Sequence, residues 1–283
     1  MRPIIALALA LAGCTAEVPA PDIRPVTEVR GELPPADLEA FVAAHPLHGL
    51  EGMPSGVTVE PDSGRRLVLL EHGALHDLDT LASVWQGASP DPRFGFTDVS
   101  ALGEGWVALT SRSDGFVMHL DAGTPSPHFC YEPGWWDPAE MEDPVQLSLA
   151  VAHDPESGRL YAQPRTIENG GFGAITESFV AAYAEEGGED LTWWGLDPSY
   201  AATGMAVLEP GSETAHATLL LGHGDVLQRF DAERGELGPE VSLREHHVEQ
   251  IGGLAIDRER GTLLVLDSAR SLVLELRVSA LQL

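Results

Sequence analysis

The sequence predicts an all-β chain: a β-propeller of about five four-stranded blades, with terminal segments that could assemble a sixth, preceded by a short N-terminal helix. Three observations predict it. Five short segments, at residues 55–59, 97–101, 148–152, 203–207 and 252–256, share a run of small and β-branched residues. Their second positions, Gly56, Asp98, Leu149, Gly204 and Gly253, lie 42, 51, 55 and 49 residues apart, and propeller blades repeat at about 40–50 residues. A polar turn then recurs in three copies: Glu60-Pro-Asp-Ser-Gly64, Asp154-Pro-Glu-Ser-Gly158 and Asp257-Arg-Glu-Arg-Gly261. Its last glycine supplies the positive φ such a hairpin needs.

The third observation is the run of strands after each turn. A strongly apolar strand comes first, at 67–70, 106–109, 160–162, 218–221 and 263–266. Strands buried on both faces read this way. A third strand comes next, at 74–78, 116–120, 178–183, 226–230 and 272–276. Outer strands are expected at 83–85, 129–131, 191–194 and 240–243. The first strand of each unit is small because inner strands converge on the axis. A β-sandwich is the alternative fold, but it leaves the fivefold repeat of one three-strand pattern unexplained.

The chain before the repeats has its own logic. Met1-Arg2-Pro3 is a short basic start, and residues 4–13 are apolar or small, which suits a secretory signal and is too short to span a bilayer. Leu11-Ala12-Gly13-Cys14 resembles the bacterial lipobox. The resemblance implies cleavage before Cys14, acylation of that cysteine, and a lipoprotein held in the cell envelope, facing the periplasm or the exterior. Two or more acyl chains suffice for stable anchoring. Residues 14–31 then form a proline-rich tether, and 32–48 a helical lead-in with Leu38, Phe41 and Val42 at helical spacing. The propeller takes 49–283. Ring closure is expected to borrow a strand from Ile23 to Leu33, beside the last blade, and residues 278–283 supply at most one further strand.

Composition limits the partners. The chain has 44 acidic and 16 basic residues, a net charge of −28, and every basic one is arginine. Such a surface repels nucleic acid and anionic lipid heads. Cys130 is the only cysteine besides Cys14, and in its apolar setting it reads as a buried hydrophobe. Gly-x-Ser-x-Gly, His-Glu-x-x-His, Walker and EF-hand motifs are absent from the sequence.

Three sets of residues are candidates for chemistry. Asp98 stands where other repeats carry Gly or Leu, so it is a candidate cation ligand, with calcium the ion it suits. Glu51 and Glu249 precede inner strands at the equivalent end and could converge with it. His246 and His247 are adjacent, and on an extended chain they point oppositely. Two insertions account for the longest intervals. One carries Trp135 and Trp136 and the other Glu168 and Phe172; aromatics in long loops suit recognition of a protein, glycan or small ligand.

The runs at 253–267 and 55–70 resemble the repeat units of NHL, regucalcin/gluconolactonase and SdiA-regulated-type propellers. The resemblance covers roughly residues 50–283. It implies the architecture, and for the gluconolactonase group a divalent cation held at the axis by Glu, Asn and Asp. The single asparagine here, Asn169, lies outside the inner-strand segments. The expectation is therefore a lipid-anchored extracytoplasmic binding or scaffold protein, with a divalent-metal-dependent hydrolase or lactonase at the channel mouth as the alternative.

Overall fold

The computed structural model describes residues 39–87, 95–111, 115–121, 124–129, 145–167, 175–184, 190–212 and 214–283. They form five sheets of four antiparallel strands. Strand β1 (Phe41–Pro46) comes first among the described residues but belongs to the last sheet. Blade 1 is β2 (Pro54–Val59), β3 (Arg66–Leu70), β4 (Ala74–Asp77) and β5 (Ser83–Gln86). Blade 2 is β6 (Phe96–Gly103), β7 (Trp106–Ser111), β8 (Gly115–His119) and β9 (Ser126–Phe129). Blade 3 is β10 (Val145–Asp154), β11 (Arg159–Ile167), β12 (Ile175–Ala184) and β13 (Asp190–Leu196). Blade 4 is β14 (Gly204–Glu209), β15 (Thr218–His223), β16 (Val226–Asp231) and β17 (Glu236–Ser242). Blade 5 is β18 (Ile251–Asp257), β19 (Thr262–Asp267) and β20 (Leu272–Arg277), completed by β1.

The inner strands touch in cyclic order, β2 to β6, β10, β14, β18 and back to β2, so the ring is closed with five blades and has no place for a sixth. Each of the five blade boundaries has its own apolar cluster. The period-two rule for strands explains how one strand serves two boundaries. In β3, Leu67 and Leu69 pack toward blade 2, while Val68 and Leu70 pack toward blade 5. All four are essentially inaccessible. Burial on both faces is what the apolar second strands required.

The turns form as their residues dictate. Gly64, Gly158 and Gly261 have φ of 66°, 62° and 67°. Gly64 and Gly158 donate their N–H to the carbonyls of Glu60 and Asp154, each at 2.9 Å. The acidic residue that opens each turn bonds back into it: Glu60 accepts from Ser63 at 2.7 Å, Asp154 from Ser157 at 2.6 Å, and Asp257 from the Arg260 N–H at 3.1 Å.

The N-terminal expectations need correction. Phe41 and Val42 are not helical; they open β1, which pairs antiparallel with β20 from Phe41↔Leu276 to Pro46↔Leu272. The edge of β20 presents unpaired backbone groups, and satisfying them outweighs a weak helical periodicity. The ring does borrow its last strand from the N-terminal side, but the position expected for residues 23–33 is filled by β1. Residues 23–33 themselves lie outside the described residues, as do Cys14 and the tether. At the other end, Val278–Ala280 form a 3-10 turn rather than a strand. No helix among the described residues is long and apolar enough to cross a membrane.

Candidate functional site

Inner strands begin on one face of the disc, here the upper, and end on the lower. Near the upper end the strands approach so closely that side chains are nearly excluded. A Cβ placed on Gly56 would sit 2.9 Å from the Val99 nitrogen; on Gly204, 3.0 Å from the Leu254 nitrogen; on Gly253, 2.9 Å from the Val57 nitrogen. The side chain of Asp98 enters this ring, fully buried. Its Oδ1 accepts the Val99 N–H at 2.9 Å and its Oδ2 the Val151 N–H at 3.1 Å. The Met205 N–H of blade 4 contributes a third favourable interaction. Burial raises the Asp98 pKa well above the carboxylate range, and the three backbone donors pull it back only in part.

This geometry decides what Asp98 does. Both oxygens are engaged by backbone donors that tie blades 2, 3 and 4 together, so the carboxylate is a plug across the axis. Glu51 and Glu249 are exposed. Among the described residues no three His, Cys, Asp or Glu side chains gather as a metal site, so the structure does not bring Asp98, Glu51 and Glu249 together. The loop that carries Glu249 is pinned instead by a buried acid of its own blade: Glu249 and Gln250 donate their backbone N–H groups to Asp267 at 2.9 and 3.3 Å. His246 is buried in a 3-10 turn, and His247 closes that turn in the left-handed region, φ 58°. The extended backbone expected for this pair is therefore not what the chain adopts here.

Trp135, Trp136, Glu168 and Phe172 lie outside the described residues, as does Cys130. The strands that flank both insertions have those ends on the upper face, since antiparallel blades place second-to-third and outer-to-inner connections there. The second insertion is shorter than the sequence suggests, because β11 continues through Pro164 and Arg165 to Ile167.

The upper face also holds a polar group that the sequence motifs do not single out. Gln163 and Arg165 lie two apart on β11, on the side facing blade 4. Gln163 Nε2 donates to Ser178 Oγ at 3.0 Å and to the Tyr200 carbonyl at 3.1 Å. Ser178 Oγ donates to the same carbonyl at 2.9 Å, and Arg165 Nη2 donates to the Pro198 carbonyl at 2.9 Å. The Tyr200 ring meets the His223 ring edge-on at 4.9 Å. Four atoms here are buried without a hydrogen-bond partner among the described residues: Gln163 Oε1, Arg165 Nε, Tyr200 Oη and His223 Nε2. Burial pushes the Tyr200 hydroxyl well up, with the charge of Glu240 adding to it, and pushes the Arg165 guanidinium down. The sequence signal for this group is faint: Gln163-x-Arg165 puts two polar residues on one face of a strand that should be apolar on both.

The lower end of the axis is a cavity of about 140 Å³, lined by Thr58, Ser100, Ala152, His153, Ala206 and Ala255 among others. Its hydroxyls also join blades: Thr58 Oγ1 accepts the Ala101 N–H at 2.8 Å, and Ser100 Oγ the His153 N–H at 2.9 Å. Of the acidic residues that line it, Glu60, Asp257 and Glu259, the first two are engaged in their own turns.

No family model matches the chain, and no curated protein resembles it in sequence. Solved structures do resemble it in shape. Glutaminyl cyclase of Myxococcus xanthus aligns with a TM-score of 0.55 at 12% identity, over 84% of this chain and 94% of that one. Regucalcin of Agrobacterium tumefaciens, described as a calcium-binding protein, aligns with a TM-score of 0.49 at 15% identity, over 83% and 93%. At such identities the likeness is one of fold: the chain is a five-bladed β-propeller.

Proposed function

We propose that this chain is a lipid-anchored binding protein of the cell envelope that presents the upper face of its propeller to a ligand. One observation carries the choice of face. Buried polar atoms almost always find partners, and each that does not costs about 1–3 kcal/mol. Here four such atoms gather around Pro198–Tyr200, on the face where β9 and β11 end and β10 and β12 begin. A ligand supplying the missing donors and acceptors accounts for them. The anchor rests on the lipobox-like Leu11-Ala12-Gly13-Cys14. A metal-dependent hydrolase would need a carboxylate cluster around Asp98, and Asp98 is bonded to backbone donors instead.

Two measurements test the reading. In cells fed an alkyne fatty acid, the full chain takes up label and fractionates with membranes, and Cys14→Ser loses both; equal membrane partition of the two would refute the anchor. For the face, the melting midpoint of the full chain in detergent is followed across small acids, amines and sugars, since a ligand specific to the folded state raises it. At least one compound raises the midpoint of the wild type, and Tyr200→Phe abolishes the rise. A panel whose every stabilising compound acts equally on Tyr200→Phe would remove the site from this face.

A further inference from the structure

We infer that Arg165 anchors a carboxylate: the upper-face site, if it binds a ligand as proposed above, takes an organic monoanion. The residue is 8% exposed. Among the described residues, Nη2 donates to the Pro198 carbonyl, Nε has no partner, and no carboxylate pairs with the guanidinium. An unpaired buried charge is costly. It is also out of character here, because acids outnumber bases by 44 to 16 in this chain. The other two buried arginines both have acids beside them: Arg66 bonds to Glu275 and Asp79, and Arg270 lies 3.9 Å from Asp267. A guanidinium left without an acid amid such an excess is suited to an acid from outside.

The neighbours define the ligand further. Guanidinium N–H groups match the geometry of a carboxylate or phosphate. The chain's net charge of −28 and a single arginine at the site disfavour a dianionic phosphate and leave a monoanionic carboxylate. Gln163 Oε1 is an acceptor that calls for an N–H or O–H on the ligand, while Tyr200 Oη and His223 Nε2 can serve a second polar group. A small hydroxy or amino acid and the C-terminus of a peptide both carry this chemistry.

The test uses the full chain in detergent with defined probes: acetate, N-acetylglycine, its amide N-acetylglycinamide, a short peptide with free or amidated C-terminus, and inorganic phosphate. Saturable binding is read by ligand-observed NMR. The wild type binds N-acetylglycine at least about tenfold more tightly than the amide, and Arg165→Met removes that preference. Preference for the free peptide over N-acetylglycine assigns the source as a chain terminus, and the reverse assigns it as a small acid. The melting midpoint of Arg165→Met without ligand is a second readout. A guanidinium that lacks an acidic partner and makes one hydrogen bond, to the Pro198 carbonyl, can be replaced by an apolar side chain of similar length at little cost, so the variant melts close to the wild type. The inference is overturned by carboxylate and amide binding alike, by neither binding up to about 50 mM, by phosphate binding in preference to carboxylates, or by Arg165→Met melting well below the wild type. Should an amine or sugar bind with Tyr200 dependence while carboxylates do not, the binding face stands and the carboxylate assignment falls.

Discussion

Asp98 of blade 2 accepts the backbone N–H of Val151 in blade 3, 53 residues away in sequence, at 3.1 Å. The bond crosses the boundary between two blades at the axis, where the glycines of three other blades leave room for the carboxylate.

That bond predicts the effect of removing it. Asp98→Ala strips acceptors from the buried N–H groups of Val99 and Val151 and a favourable partner from that of Met205. Each orphaned donor costs about 1–3 kcal/mol unless water from the lower cavity reaches it. The urea midpoint should therefore correspond to a loss of about 2–4 kcal/mol. Because both oxygens are already engaged, millimolar calcium should leave the difference between wild type and variant unchanged. A calcium-dependent rise confined to the wild type would restore Asp98 as a cation ligand.

The same crowding separates glycines that look alike in sequence. A Cβ on Gly253 would lie 2.9 Å from the Cα of Gly56, a backbone atom of the next blade that cannot move cheaply. On Gly261 it would meet nothing within 4 Å, although φ is 67° there. Gly253→Ala should cost more, about 2–4 kcal/mol by overpacking, than Gly261→Ala, about 1 kcal/mol from the left-handed backbone. Equal losses in denaturant titrations would mean that the axis is looser than the inner strands indicate.

The blades were legible because each repeats one local rule: small residues at the axis, a turn acid followed by glycine, then an apolar strand. Local chemistry writes these rules, so Glu60 and Asp154 and their glycines could be read directly. The closing strand was not legible, because nothing local distinguishes Phe41–Pro46 from a helix; its conformation is set by the open edge of β20, over 200 residues away. Of the candidate site, Asp98 could be located at the axis, but its role could not. Whether its oxygens meet a cation or N–H donors depends on Val151 and Met205, which only the ring brings near. Arg165 was hidden for the same reason: its lack of an acidic partner is a fact about three dimensions.

Acid should weaken the boundary between blades 1 and 5. Glu275 accepts from Arg66 at 2.8 Å and Thr262 at 2.9 Å, and lies 3.3 Å from His45 Nε2 on β1. Burial pushes its pKa up, but these hydrogen bonds and the charge of Arg66 outweigh burial and hold it below the ordinary 4.5. Asp79 is likewise held below 3.8, chiefly by its hydrogen bond with Arg66. A depressed folded pKa gives stability that is complete above the unfolded value and lost as pH falls through the folded one. The denaturant midpoint should thus decline from about pH 5 downward, and less steeply in Glu275→Gln. Asp98 acts with the opposite sign. Its folded pKa is raised, so its contribution is greatest in acid and diminishes as pH rises above 3.8. Asp98→Ala should make the acid-side decline steeper. A shallower decline in that variant would show that Asp98 stays ionised in the folded chain.

Ring closure depends on a strand from the start of the chain. β1 satisfies the outer edge of β20 from Leu272 to Leu276, and the carbonyl of Ala40 accepts the Arg277 N–H at 2.7 Å. Leu47 and Leu50, just beyond it, are buried in the cluster between blades 5 and 1. A chain starting at Glu39 keeps every one of these contacts and should melt within a few degrees of a chain starting at Thr15. A chain starting at Leu47 loses the whole fourth strand of blade 5. Four or more backbone hydrogen bonds at about 1 kcal/mol each are then exchanged for a bare sheet edge. For a domain of this size that corresponds to a drop in Tm of about 8–16 °C, with a tendency to associate through the exposed edge. If the chain starting at Leu47 melted like the longer one, residues 41–46 would be dispensable. The ring would then be held by packing between blades alone, without a strand borrowed from the N-terminal side.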